Sequence, residues 1–224
     1  MRCFHYKLSS VLLTKLNGRA DESQKPARQQ AVYVGRYIFT IMQLFKISDE
    51  IYIIQNFWTK EKCDNFIKQT EAKGYRDATI DSGMGQRVVK SVRNNKRVMY
   101  VDTDLASDIW TNLSQSVPQK IGNSSVVGLN EMFRFYRYNA GEEFKRHRDQ
   151  SFIRNNQESS YYTFMIYLND NFEGGETSFA DKVVRPIAGL ALIFLHSLEH
   201  AGNPVKKGTK YVLRTDIMYR LNEL

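Results

Sequence analysis

At 224 residues the chain is long enough to bury one substantial core and too short for two large ones. Its composition, 42% hydrophobic and 25% charged with 4 prolines, excludes a fibrous, collagenous or wholly disordered protein. The formal charge of +8 invites a nucleic-acid partner, but residues 1–46 carry eight Lys or Arg against Asp21 and Glu22, a net of +6 that leaves about +2 for the rest.

From the start of the chain, residues 1–46 read as a poorly structured, basic N-terminal extension, with a polar stretch from Asn17 to Gln30 that has no apolar period. Residues 1–20 hold four basic residues and no acid, a pattern similar to a transit peptide. The longest apolar candidate, Tyr33 to Phe45, is broken by Arg36 and Gln43, so no membrane partner is expected. Cys3 and Cys63 stand too far apart for a disulfide framework or thiolate metal site, which fits a reducing, cytoplasmic setting.

Residues 47–224 form the expected folded domain, with helical support over 47–125 and a strand-rich core over 126–224. Ile51 to Ile54 is a short β-type run. Thr59 can cap a helix that places Cys63, Phe66, Ile67 and Thr70 on one face and ends at Gly74. Leu105, Ile109, Trp110, Leu113 and Val117 predict a second helix, with Asp104 before it and Pro118 stopping it. Between the two, Arg87, Lys90, Arg93, Lys96 and Arg97 occur with no acid among them, either a solvated loop face or the rim of a site for an acidic or extended substrate.

Strand-like runs follow at Met132–Tyr138, Tyr161–Asn169, Lys182–Ile187, Leu190–His196 and Tyr211–Tyr219. Helices followed by strands predict an α+β chain whose C-terminal half is a jelly roll or barrel. The connections are too short for crossover helices, which disfavours a parallel doubly wound sheet.

In Phe144-Lys-Arg-His147-Arg-Asp149, positions i and i+2 of an extended segment point the same way, so an imidazole and a carboxylate converge. That pair begins a two-histidine, one-carboxylate facial triad with open coordination positions. His200 is the third candidate and His196 its rival. Lys210, Val212, Arg214 and Asp216 share one strand face, and a cation turned into a barrel calls for an anion to meet it. The alternative is that this face looks outward and Arg214 pairs with Asp216 or solvent.

Three stretches in order, Arg134-Phe-Tyr-Arg-Tyr138-Asn-Ala-Gly141-Glu-Glu-Phe144-Lys-Arg-His147-Arg-Asp149, Tyr167-Leu-Asn-Asp-Asn-Phe-Glu-Gly174-Gly175-Glu176-Thr177-Ser-Phe179, and His200 to Tyr219, resemble the prolyl 4-hydroxylase-like branch of the iron(II)- and 2-oxoglutarate-dependent dioxygenases. The resemblance runs from about Ile47 to Arg220 and implies a double-stranded β-helix (jelly-roll, cupin-like) with N-terminal supporting helices. It implies His147, Asp149 and His200 as catalytic iron ligands, since Gly202, Val205 and Gly208 surround His200 rather than His196. Lys210 would meet the distal carboxylate of 2-oxoglutarate, Tyr138 would hydrogen-bond this cosubstrate, and Arg214 would assist Lys210 or touch substrate. The implied cofactors are Fe(II), 2-oxoglutarate and O2, with ascorbate as an auxiliary reductant.

The implied substrate is a prolyl residue in a peptide or protein. A different side chain or free amino acid, a nucleic-acid demethylase, and a non-catalytic sensor barrel are the alternatives. Gly174 and Gly175 suit a tight turn rather than a phosphate site. Phe133, Phe135, Tyr162 and Phe164 belong to the core or the cavity wall.

Overall fold

Alternation of inward and outward side chains along long C-terminal strands builds a main sheet of ten strands in the computed structural model, which describes residues 31–34, 37–81 and 85–223. Its path runs β1 (Gln43–Lys46), β2 (Ile51–Gln55), β10 (Ala191–Leu195), β7 (Glu158–Tyr167), β12 (Thr209–Leu221), β5 (Met132–Asn139) and β3 (Lys96–Val101), with Arg76–Asp77 at the far edge. Strand β4 (Ser124–Leu129) joins β12 off that path. Every pairing in it is antiparallel. A second, four-stranded sheet runs β6 (Phe144–His147), β11 (His200–Gly202), β8 (Thr177–Ser178) and β9 (Val183–Val184).

Two helices cover the outer face of the main sheet. Helix α1 (Lys60–Lys73) is capped by Thr59, whose hydroxyl accepts the Lys62 N–H at 3.2 Å, and it ends at Gly74 with φ 80°. Helix α2 (Thr103–Leu113) starts two residues earlier than expected. Its cap is Asp102, which accepts from Leu105 N at 2.9 Å, and Asp104 instead sits in the first turn, where its charge suits the helix dipole. A 3-10 turn over Ser114–Ser116 separates the helix end from Pro118.

The core lies in two layers. Cys63, Leu105, Ile109 and Leu113 of the helices meet Phe133, Phe135, Phe164 and Leu213 of the sheet in one cluster, which also holds Tyr162. The second cluster contains Tyr138, Tyr167, Phe194 and Val212 of the main sheet with Phe179 and Val184 of the smaller one. Period-two alternation therefore sends one side of β5, β7 and β12 to the helices and the other to the space between the sheets, where the functional residues gather.

The expected extension reaches less far than residue 46. Gln43–Lys46 is an edge strand paired residue by residue with β2, and Ala31–Val34 pairs with Tyr37–Thr40. Backbone pairing satisfies the polar main chain there despite the lack of an inward apolar face, since Leu44 and Phe45 are exposed. Residues 1–30 of that extension lie outside the described residues. Strand β3 was not legible in Lys96–Val101 because Val98 is its one buried residue. Lys182–Ile187 contributes only Val183–Val184.

One turn shows how tightly the layers are joined. Gly189 has φ +79°, receives the Trp58 N–H at 3.1 Å, and a Cβ there would lie 1.9 Å from the Trp58 carbonyl oxygen. Gly189→Ala is therefore expected to cost more than about 2 kcal/mol through backbone strain and lost packing. A melting temperature within a degree of the wild type would contradict this.

Candidate metal centre

Strands β6 and β11 pair so that His147 and His200 are direct cross-strand partners, with ring centroids 4.3 Å apart. Asp149 follows just beyond β6, held by its backbone N–H on the His196 carbonyl at 3.1 Å. Its Oδ1 lies 3.6 Å from His147 Nε2 and its Oδ2 3.7 Å from His200 Nε2. All three donor groups fall within 4.8 Å of one another, and among the described residues no other such cluster of three exists.

The tautomers follow from hydrogen bonding. His147 Nδ1 donates to the Lys145 carbonyl at 2.7 Å and His200 Nδ1 to the Leu198 carbonyl at 3.0 Å, because a carbonyl can only accept. Both Nε2 lone pairs are thereby turned toward Asp149. Burial drives the His200 pKa down to about 4, against the opposing pull of Asp149. Burial also opposes ionisation of Asp149, but the Arg214 guanidinium, with the Thr163 hydroxyl, holds its carboxyl well below the usual range. Two imidazole Nε2 atoms and an ionised carboxylate thus face one point.

Such a donor set fits a divalent first-row ion. Donors about 2.1 Å from a shared ion are separated by roughly 3.0 Å at right angles and roughly 4.2 Å when opposed, and the observed gaps fall between. The carbonyl partners of the two Nδ1 atoms are the outer support such ligands need.

The metal-free protein should carry a pH signature of this site. Between pH 6.5 and about 4 an unfolded His200 takes up a proton that the folded one does not, so stability is lost as pH falls through that window. His200→Gln should flatten the drop in melting temperature between pH 7 and 5; an identical drop in both proteins would count against a buried neutral imidazole.

Thr163 and Arg214 orient the carboxylate. Thr163 Oγ1 donates to Asp149 Oδ2 at 2.5 Å, and Arg214 Nη1 meets Oδ1 at 2.9 Å. Sequence patterning missed Thr163, although its place on the inner face of β7, opposite Asp216 of β12, was available as a polar interruption of an apolar run. Arg214 Nη2 also reaches Asp216 Oδ1 at 3.3 Å, so its charge is shared between two carboxylates. His196 is buried with both ring nitrogens lacking a hydrogen-bond partner and lies 3.8 Å from Asp216 rather than joining the three donors.

Lys210 projects inward from β12 and is 2% exposed. Its Nζ donates to the Gly175 carbonyl at 2.5 Å and stands 5.2 Å from the Tyr138 ring centre and 5.4 Å from that of Tyr167. Burial pushes its pKa down to about 7, with Glu176 opposing. Gly174 and Gly175 have φ of +77° and +69°, and a Cβ on Gly175 would come within 3.1 Å of Lys210 Cδ. The glycine pair thus serves close approach to Lys210 as well as the turn. A narrow cavity lined by Tyr138, Met165, Thr177, Lys210, Val212 and Arg214 leads from this ammonium to the three donors. Phe133, Phe135, Tyr162 and Phe164 lie instead in the helix-side core.

Comparison with known proteins agrees with this geometry. Residues 133–215 match the model of the 2OG-Fe(II) oxygenase superfamily. The chain is 24% identical over 190 residues to probable prolyl 4-hydroxylase 7 of Arabidopsis thaliana, covering 79% of this chain and 57% of that protein. It thus spans little more than half the length of that relative. Its fold is similar to the viral collagen prolyl hydroxylase of Paramecium Bursaria Chlorella virus-1 (TM-score 0.55, 19% identity, 77% of this chain and 97% of the other). It is also similar to the prolyl hydroxylase of Trichoplax adhaerens solved with a hypoxia inducible factor peptide (TM-score 0.58, 19% identity, 76% and 84%). The stretch that carries His147, Asp149, His200, Lys210 and Arg214 is thus the part of the chain that matches the model of the 2OG-Fe(II) oxygenase superfamily.

Proposed function

We propose that this protein hydroxylates a prolyl residue within a peptide or protein, using iron(II), 2-oxoglutarate and O2, with ascorbate keeping the metal reduced. The observation that carries the assignment of the site is the convergence of His147 Nε2, His200 Nε2 and the ionised Asp149 on one point beside a buried lysine that, among the described residues, forms no ion pair. Bound there, iron(II) with 2-oxoglutarate and O2 supplies oxidation of an unactivated C–H bond, the cosubstrate leaving as succinate and CO2.

The chain's own contribution is placement. His147, Asp149 and His200 offer three donors from one side and leave the cavity side free for cosubstrate and substrate. Lys210 supplies a fixed cation at the closed end of the cavity for the distal carboxylate, and Tyr138 stands beside it as a hydrogen-bonding phenol. Phe194 packs against His200 at 4.5 Å and helps keep water from the centre. The prolyl assignment draws on the likeness to the Arabidopsis and viral proteins, whose names specify prolyl hydroxylation.

Incubation with iron(II), ascorbate, 2-oxoglutarate and proline-containing peptides is expected to release succinate and add one oxygen atom to a peptide, read by mass spectrometry. Succinate without any peptide product would retain the oxygenase and remove the prolyl substrate; neither product would remove both.

A further inference from the structure

Beside the metal centre lies a cavity of about 320 Å³, and five of its lining residues are arginines: Arg93, Arg97, Arg134, Arg148 and Arg214. Among the described residues Asp149 is the one carboxylate in its lining. Arg134 and Arg214 are already neutralised, the first by Asp216 at 3.0 Å and the second by Asp149 and Asp216. Arg93 and Arg97 are different. Among the described side chains neither pairs with a carboxylate.

Arg93 Nε donates to Asn95 Oδ1 at 3.0 Å, and Arg97 donates to the Thr79 carbonyl at 3.3 Å, to its hydroxyl, and to Gln86 Oε1 at 3.2 Å. The Arg93 guanidinium is held between the rings of Phe144 and Tyr136, 4.1 Å and 4.9 Å from their centres. It is 5% exposed, and its Nη2 is buried with no hydrogen-bond partner. A buried cation with an unused donor is costly unless an anion completes it. A planar guanidinium fork on aromatic walls suits a carboxylate.

We propose that Arg93 and Arg97 form a carboxylate subsite, and that the substrate presents an Asp or Glu side chain there, immediately beside the residue to be hydroxylated. The proposal rests on the oxygenase assignment for what is done to the neighbouring residue, since His147 and Asp149 open onto the same cavity. It also gives a role to part of the basic run from Arg87 to Arg97. An acidic peptide fits better than a nucleic acid. The cations line one cavity at the small end of ligand sites, with Arg93 buried between aromatic rings, rather than forming a basic stripe that could follow a phosphate backbone. The chain beyond residue 46 is also close to neutral.

The test uses three fluorescein-labelled peptides that differ only in having Glu, Gln or Lys on both sides of a central proline, titrated under nitrogen into protein loaded with iron(II) and 2-oxoglutarate. The Glu peptide is expected to bind about 10-fold or more tightly than the Gln peptide, with the Lys peptide weakest. Arg97→Gln and Arg93→Gln should each reduce the Glu advantage to under about 2-fold, with near-UV circular dichroism confirming that the variants are folded. Equal binding of Glu and Gln peptides to the wild type, including binding of neither, overturns the subsite whatever the variants do. A retained Glu preference in both folded variants also overturns it, as does displacement of the Glu peptide by a single-stranded oligonucleotide at lower concentration than by unlabelled Glu peptide. Succinate release is assayed in the same preparations. Turnover of 2-oxoglutarate without a Glu preference removes the subsite alone, whereas a Glu preference without turnover removes the oxygenase assignment alone.

Discussion

Asp149→Asn is expected to lower 2-oxoglutarate turnover by more than about 100-fold while the protein stays folded, since even the outer partners of metal ligands are worth 10 to 100-fold. The substitution keeps the size of the side chain and one oxygen for Thr163 or Arg214, but it removes the negative charge that two neutral imidazoles cannot replace. Arg214 retains Asp216, so no guanidinium is left wholly unpaired inside the barrel. Loss should appear first as weakened metal binding, measurable by titration with manganese(II) as a redox-silent stand-in. Full turnover in the variant, or wild-type manganese affinity, would take Asp149 out of the donor set.

Lys210→Ala is expected to raise the 2-oxoglutarate dissociation constant roughly 100-fold, the scale of removing one partner from a buried charged hydrogen bond. The effect should be mainly on cosubstrate requirement, with the metal still bound. Lys210 rather than Arg214 is expected to dominate, because Arg214 already pairs with two carboxylates whereas Lys210 is hydrogen-bonded to a carbonyl and, among the described residues, forms no ion pair. Protonation gives an independent check on wild-type protein. Burial lowers the Lys210 pKa to about 7, and a bound carboxylate raises it again, so binding takes up a proton above that pH. Affinity for 2-oxoglutarate should therefore be flat below about pH 7 and fall as much as tenfold per unit above it. A pH-independent affinity from 7 to 9, or a Lys210→Ala protein with normal cosubstrate dependence, would move the anchor elsewhere.

Local pattern made several parts of this protein readable in advance. Thr59 and Gly74 bracket α1 as a capping hydroxyl and a positive-φ stop, and the Met132 to Tyr138 run became β5 almost unchanged. These signals concern residues within one turn or one strand of each other. The cap of α2 was displaced to Asp102 because two nearby acids can both serve a helix start, and only the backbone direction selects between them. Thr163 was not identified as a site residue, and Arg93 was read only as one of a basic run that could rim a site, for a different reason. Each acquires its role from a partner far along the chain, Asp149 in one case and the Tyr136 and Phe144 rings in the other.

Taken alone, the sequence determined the composition of the site: a His-x-Asp pair on an extended segment, a later histidine, and an inward-capable lysine and arginine two positions either side of Val212. Tertiary structure decided their meeting. The antiparallel register that sets His147 opposite His200, and the face of β12 that turns Lys210 and Arg214 between the sheets rather than to solvent, come from pairings across tens of residues. Periodicity carries which residues share a face, but the direction of that face depends on which strand hydrogen-bonds beside it and which layer covers it.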